Sequence, residues 1–274
     1  MTRTRWLVMV AAVLVVAAGV AVAQRGRYRP RPIEEDRRGV ANWEVDPKFK
    51  HDVFTFVRIE YDSYGRWGWT TDWPDAELNL SFRLQQLTAL KVNPVPITLR
   101  LTDPRLFDHP FIYIVEPGGL VFSEDEVLAL RRYLLNGGFL MVDDFWGDSQ
   151  WANFAREMKR VFPDRDPQDV PLEHEIFHMV YNLKERPQLP SIGIAHRYRD
   201  EGITWEPWHD GNTKDVHFRA LYDDKGRMMA FICHNTDNGD GWEREGDDPW
   251  YFKEFSEKKA YPLGINVVVY AMTH

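Results

Sequence analysis

One stretch, Pro110 to Trp146, constrains the fold of this chain more than any other, because it spells a complete strand–helix–strand unit. Phe111-Ile-Tyr-Ile-Val115 is a short apolar run between Pro110 and Pro117. Ser123-Glu-Asp-Glu126 follows, a capping serine with a glutamate three residues on, which marks a helix start. Val127, Leu128, Leu130, Leu134 and Leu135 then form a helical apolar stripe, which Asn136-Gly137-Gly138 stops. Phe139-Leu-Met-Val142 is a second buried strand that delivers Asp143 and Asp144 at its C-terminal end. In an open parallel sheet that end is where ligands bind.

The flanking segments extend the same pattern. Val53 to Ile59 alternates as a strand, and a Gly/Trp/Asp loop runs from Tyr64 to Pro74. Leu78, Phe82, Leu84, Leu87 and Leu90 give an amphipathic helix from Asp75 to Leu90. Ile97-Thr-Leu-Arg-Leu101 reads as a strand, and Ser149 to Phe162 as a helix closed by Pro163. The order β-α-β-β-α-β-α predicts a mostly parallel, three-layer α/β domain with right-handed crossovers. Residues 185–215 read as a long loop region. Phe218–Tyr222 and Met228–Ile232 flank the turn Asp223-Asp-Lys-Gly226 as a hairpin, and Leu263 to Met272 is a last apolar helix. Asp240 to Asp248 is acidic, lacks the spacing of a calcium loop, and reads as a solvated loop.

The N-terminus carries Arg3 and Arg5, then an uncharged run from Trp6 to Ala23 that closes on Ala21-Val22-Ala23. This is the pattern of a signal peptide over residues 1–23, cleaved before Gln24. The alternative is an uncleaved anchor, the one circumstance that implies membrane contact. Either way the expectation is a periplasmic or secreted protein. Residues 24–50 read as a flexible, Arg/Pro-rich linker, and residues 51–274 as a single α/β domain. The formal charge of −8 argues against a nucleic-acid partner, which needs a basic face. A single cysteine, Cys233, excludes an intramolecular disulfide framework, so stability rests on the core that a chain 44% hydrophobic in composition can bury. Cys233 precedes His234 on a strand, where neighbours point to opposite faces; a buried structural thiol is the better reading than a nucleophile.

Several segments together resemble a bacterial family named domain of unknown function 4159. They are Asp72-Trp73-Pro74 with Asn79-Leu80, Leu106-Phe107 with Pro110-Phe111, Tyr133 to Leu140 with Asp143-Asp144, His174 with Ile176-Phe177-His178, and Gly264 to Ala271. The resemblance covers roughly residues 52–274. It implies a relation to the class I glutamine amidotransferase-like and trehalose-utilisation-like folds, which are flavodoxin-like three-layer sandwiches. Amidotransferases of that fold carry a nucleophilic cysteine on a sharp strand-to-helix turn. Here the equivalent turn follows Val142 and holds Asp143-Asp144-Phe145, so glutaminase chemistry is not expected and no cofactor is implied.

Two constellations remain. Asp143 and Asp144, with Trp146, His174, His178, His234 and Asp237 as companions, mark a candidate ligand cleft; turn formation or helix capping would account for one aspartate alone. Trp67, Trp73 and Trp146 lie in Gly/Asp/Pro-rich loops, and aromatic faces beside carboxylates suit a carbohydrate-like or cell-envelope ligand. The competing pattern is His174-Glu175-Ile-Phe-His178, in which a helix would turn both imidazoles onto one Zn²⁺ while Glu175 activates water. Pro171 opposes a helix there, and a third ligand would have to come from Glu201, Glu206 or His209. The favoured reading is therefore an exported ligand-binding domain, with a zinc hydrolase as the alternative.

Overall fold

A computed structural model describes residues 33, 36–49, 52–64 and 68–274. The expected signal peptide, most of the first half of the expected linker and Trp67 lie outside the described residues. The strands are β1 (Val57–Glu60), β2 (Asp62–Ser63), β3 (Ile97–Arg100), β4 (Phe111–Val115), β5 (Leu120–Val121), β6 (Phe139–Asp143), β7 (Gln168–Asp169), β8 (His217–Tyr222) and β9 (Met228–His234). Seven of them form one sheet in the order β3-β1-β4-β6-β9-β8-β7, and β2 pairs with β5 in a separate ribbon. β3, β1, β4, β6 and β9 are mutually parallel, whereas β8 runs antiparallel to both β9 and β7. The fold is thus α/β with a mostly parallel central sheet.

Burial on both faces explains why the central strands are apolar without interruption. Along β4, Phe111, Tyr113 and Val115 enter one core while Ile112 and Ile114 enter the other. The helices are α1 (Asp75–Leu87), α2 (Glu124–Leu135), α3 (Gly147–Val161), α4 (Ile192–Arg197), α5 (Asn238–Glu243), α6 (Pro249–Tyr251) and α7 (Tyr261–Thr273), with a π-helical segment Phe252–Ala260 joining the last two. Leu80 and Leu84 of α1 and Leu263 and Val267 of α7 cover the first face. Val127, Leu130 and Leu134 of α2 and Phe154, Met158 and Val161 of α3 cover the second. The expected helix start at Ser123 forms a complete capping box: its hydroxyl accepts from the Glu126 amide at 3.3 Å, and the Glu126 carboxylate accepts from the Ser123 amide at 2.9 Å.

Three local expectations are revised. The compact body begins at Arg37, because Trp43 donates to the Val92 carbonyl at 2.7 Å and Arg37 to that of Pro94 at 2.5 Å, so the second part of the expected linker is anchored. The expected solvated loop at Asp240 instead lies in α5, with Trp242 wholly buried and donating to the Ala260 carbonyl at 2.9 Å. The long loop region contains α4.

The sheet margins are short. On β3, Arg100 pairs with Asp62 at 3.0 Å and lies 3.6 Å from Glu126; on β7, Asp169 pairs with Arg186 at 3.0 Å. Among the described residues, no helix is long and apolar enough to cross a membrane. The order matters for function because β3 lies on one side of β1 and β4 on the other. The chain reverses its winding direction between β1 and β4, and their C-terminal ends open a crevice at that switch point.

Candidate functional site

The ends of three adjacent strands carry an unusual backbone. β4 and β6 pair up to Val115 and Asp143, and one further rung follows, from the Glu116 amide to the Asp143 carbonyl at 3.1 Å. Each chain then turns through a left-handed residue: Glu116 at φ 49° and Asp144 at φ 54°. Asn235, next after β9, has φ 62°, and Asp72, just before α1, has φ 60°. Non-glycine residues rarely adopt this conformation, which costs on the order of 1–3 kcal/mol each and clusters where function demands it. The expected sharp turn after Val142 is therefore present, with Asp144 at its apex.

Above these turns lies a cleft of about 800 Å³. Asp72, Glu116, Asp144, Glu206, Asp237 and Asp240 line it with carboxylates, Arg244 supplies a guanidinium, and Tyr64, Trp146, Trp208 and His209 supply rings. The Trp146 indole donates to Asp144 Oδ1 at 3.0 Å and stands nearly parallel to the His209 ring, 6.5 Å between centroids. Thr71 donates its hydroxyl to Glu116 at 2.8 Å. Trp208 is 55% exposed, a large free aromatic face at the cleft wall.

Burial, reinforced by like charges, dominates the electrostatics. Burial and then Asp240 lift Asp72 to about 6; burial, with Asp72 adding, lifts Glu116 to about 7. Burial, with Glu116 and Asp72 next, pushes Asp144 well above the carboxylate range, and burial with Asp144 and Asp240 does the same to Asp237. Glu243, behind the wall, is pushed up to about 9 by burial and by Asp72. The nearby cations are engaged elsewhere. Arg58 is wholly buried, paired with Glu77 and bonded to the carbonyls of Trp69 and Thr71. Arg244 donates to Asp240 at 3.0 Å and lies 2.8 Å from Glu243.

Of the residues singled out in the sequence, Asp144, Trp146 and Asp237 line the cleft together. Asp143 lies beneath it as a brace: its carboxylate accepts from the Tyr113 hydroxyl at 3.1 Å, the Asn238 amide at 2.9 Å, the Asn238 side chain at 2.7 Å and the Gly239 amide at 3.0 Å. Burial still raises Asp143 to about 7. Asp237 doubles as the cap of α5, accepting from the Asp240 amide at 2.8 Å. Trp73 stands over the Arg58 guanidinium at 5.8 Å and does not line the cleft.

His234 is corrected from ligand group to core residue. It is buried between Phe145, Trp151 and His217, its Nε2 lies 3.1 Å from the Gly147 carbonyl, and burial lowers it to about 3. His174 and His178 do not reach the cleft either. Their segment is a short 3-10 turn, Glu175–Phe177, rather than an α-helix. His174 Nδ1 accepts from the Ile176 amide, and both ring nitrogens of exposed His178 are engaged, with Asn182 at 2.8 Å and the Leu172 carbonyl at 2.7 Å. Glu175 lies 3.4 Å from the C-terminal His274. The geometry that a zinc site requires of this motif is not met, and of the proposed third ligands Glu206 and His209 line the cleft instead. Cys233 is wholly buried, with its thiol pushed up by burial.

Sequence reasoning missed Asp72, Glu116, Asp240 and Arg244 as site residues. Glu116 alone had a signal: it follows a parallel strand directly, immediately before Pro117, as Asp144 follows β6. What emerges is an α/β domain with an acidic, aromatic-walled cleft at the switch point of its sheet. The chain belongs to the family described as Domain of unknown function (DUF4159), whose model matches residues 55–272. A search of the curated proteins finds no match.

Proposed function

We propose that this protein is an exported ligand-binding domain of flavodoxin-like architecture, which holds a polyhydroxylated, carbohydrate-like ligand in the switch-point cleft. The carrying observation is the convergence of Asp72, Glu116 and Asp144, all on left-handed turns, with the rings of Trp146, Trp208 and His209 in one cleft. Carboxylates accept from sugar hydroxyls, aromatic faces stack on the C–H faces of sugar rings, and the cleft volume suits a small organic ligand. The parallel-strand order, with the first strand between the second and third, is that of the flavodoxin-like folds, whose ligands sit at this switch point. Export rests on the Arg-flanked apolar run that ends at Ala23, and the N-terminus of the native protein, read by mass spectrometry, tests it.

Because Trp146 is hydrogen-bonded to Asp144, occupancy of the cleft should register in tryptophan fluorescence. The test is a titration against a glycan panel, repeated with Asp144→Asn. A saturable change that weakens in the variant supports the reading; no change with any glycan overturns it.

A further inference from the structure

Among the described residues the cleft holds more carboxyl groups than cations to compensate them, and the excess is localised. Glu206 accepts from the Ser191 amide at 2.9 Å, Asp237 caps α5, and Asp240 accepts from the Ile192 amide at 2.5 Å and from Arg244 at 3.0 Å. These three carboxylates have structural partners. Glu116 and Asp144 receive neutral donors only: the Thr71 hydroxyl and the Gly68 amide for the first, the Trp146 indole for the second. Asp72 Oδ2 is buried and meets no N–H donor among the described residues; the one side-chain hydrogen bond of Asp72 is with another carboxyl, Glu243, which is pushed up to about 9. Among the described residues, Arg58 stands behind these groups and offsets Asp72 and Glu116 in part, but it is bonded to Glu77 and two carbonyls and does not line the cleft. A buried carboxylate whose side-chain partner is only another carboxyl is poorly compensated, and a bound positive group would recover that free energy.

Resting on the reading above that the cleft takes a saccharide, we infer that its ligand is an aminated one, a sugar or oligosaccharide whose protonated amine sits among Asp72, Glu116 and Asp144. An ammonium donates three hydrogen bonds and matches three acceptors presented from three different segments. The aromatic wall adds to this, since ring faces attract cations, organic ones in particular. A divalent metal fits less well. The carboxylates close enough to chelate one, Asp72, Asp240 and Glu243, have oxygens within 4.8 Å of one another, but the Arg244 guanidinium already occupies two of them. Acidic saccharides are excluded by the same charge.

The amine also has a proton signature. The groups facing the seat are Asp72, Glu116, Asp144, Asp237, Asp240 and Glu243, with Tyr61, Asp143, Arg58 and Arg244 around them. Burial and mutual repulsion leave part of this cluster protonated near neutrality. A bound ammonium stabilises the ionised forms, so at about pH 5.5, where the amine is already protonated in solution, binding releases protons, whereas a neutral sugar releases none.

The experiment compares chitosan oligosaccharides with chain-matched N-acetylated chitin oligosaccharides on the full chain. Affinity is read by tryptophan fluorescence, and proton release by calorimetry at about pH 5.5 in buffers of different ionisation enthalpy. The expected result is roughly tenfold or greater preference for the amine, the scale of one charge-assisted hydrogen bond, together with proton release. In Glu116→Gln the preference collapses. Equal or tighter binding of the acetylated oligomers, or amine binding without proton release, overturns this inference and leaves the saccharide reading standing. No binding of either series, with none across the glycan panel, overturns both. Calcium or magnesium binding alone, with the same proton release and no amine binding, replaces the amine by a metal.

Discussion

At the scale of single residues, adjacent aspartates at one strand end do different work. Asp143 faces inward and takes four hydrogen bonds, so Asp143→Ala leaves buried donors on Tyr113, Asn238 and Gly239 without an acceptor. The expected cost is more than about 2 kcal/mol of folding stability, measured by denaturant unfolding. Asp144 faces the cleft on a strained turn among like charges. Asp144→Gly removes both burdens, so it should gain stability, on the order of 1 kcal/mol, while the proposed glycan binding is lost. Loss of stability in Asp144→Gly would show that the left-handed turn is not strained. The pair was legible in the sequence because a parallel strand followed by two carboxylates is a recognisable pattern. Which of the two faces the cleft was not, since that depends on α5, whose amides claim Asp143. The histidines misled for a related reason: the spacing of His174 and His178 carries meaning only on a helix, and Pro171 with the turn at Glu175 denies them one.

At the scale of elements, α5 is the part of the site that the sequence concealed. Asn238-Gly-Asp-Gly has poor intrinsic helix propensity, with two glycines in four residues. It is helical because Asp143 and Asp237 take its first amides and because Trp242 anchors its far end in the core. The Trp242 ring lies so close to α7 that a Cβ on Gly264 would stand 2.7 Å from its Cζ2. Gly264→Ala should therefore push on Trp242 and, through it, on Asp237, Asp240 and Glu243. A destabilisation of about 1–3 kcal/mol is expected by thermal or chemical denaturation. A neutral substitution would mean that α5 is not fixed by this contact. The helix α2, by contrast, was readable to the residue at its start, because a capping box is local chemistry and owes nothing to the rest of the molecule.

At the scale of the whole molecule, the buried carboxyls set how stability responds to pH. Asp72, Glu116, Asp143 and Glu243 are raised to about 6, 7, 7 and 9, above the values near 4 of an unfolded chain. From about pH 4 upward the folded protein holds protons that the unfolded chain has released, so these groups cost stability increasingly as pH rises through their folded values. His234, lowered to about 3, works in the opposite sense between about 3 and 6.5, where stability rises with pH. The four carboxyls outnumber it, so the melting temperature should be higher near pH 5 than near pH 8 in the absence of ligand. A flat or rising profile between those values would show that the carboxyls ionise without penalty. The general architecture was legible because it follows from apolar runs and helix signals along the chain. The charge arrangement was not, because Asp72, Glu116 and Asp240 come from three separate segments that only the closed sheet brings together.

The short margins of the sheet bear on how such molecules coexist at high concentration. The interior strands Phe111–Val115 and Met228–His234 are wholly buried, and would be sticky if displayed. They are flanked at one side by β3, whose Arg100 is tied to Asp62, and at the other by the two-residue β7, whose Asp169 is tied to Arg186. A neighbouring chain that tried to add a strand would meet a brief ladder and a fixed charge at either border. Among the described residues, the borders of the folded sheet thus offer a poorer template for an added strand than its interior strands would if the sheet opened.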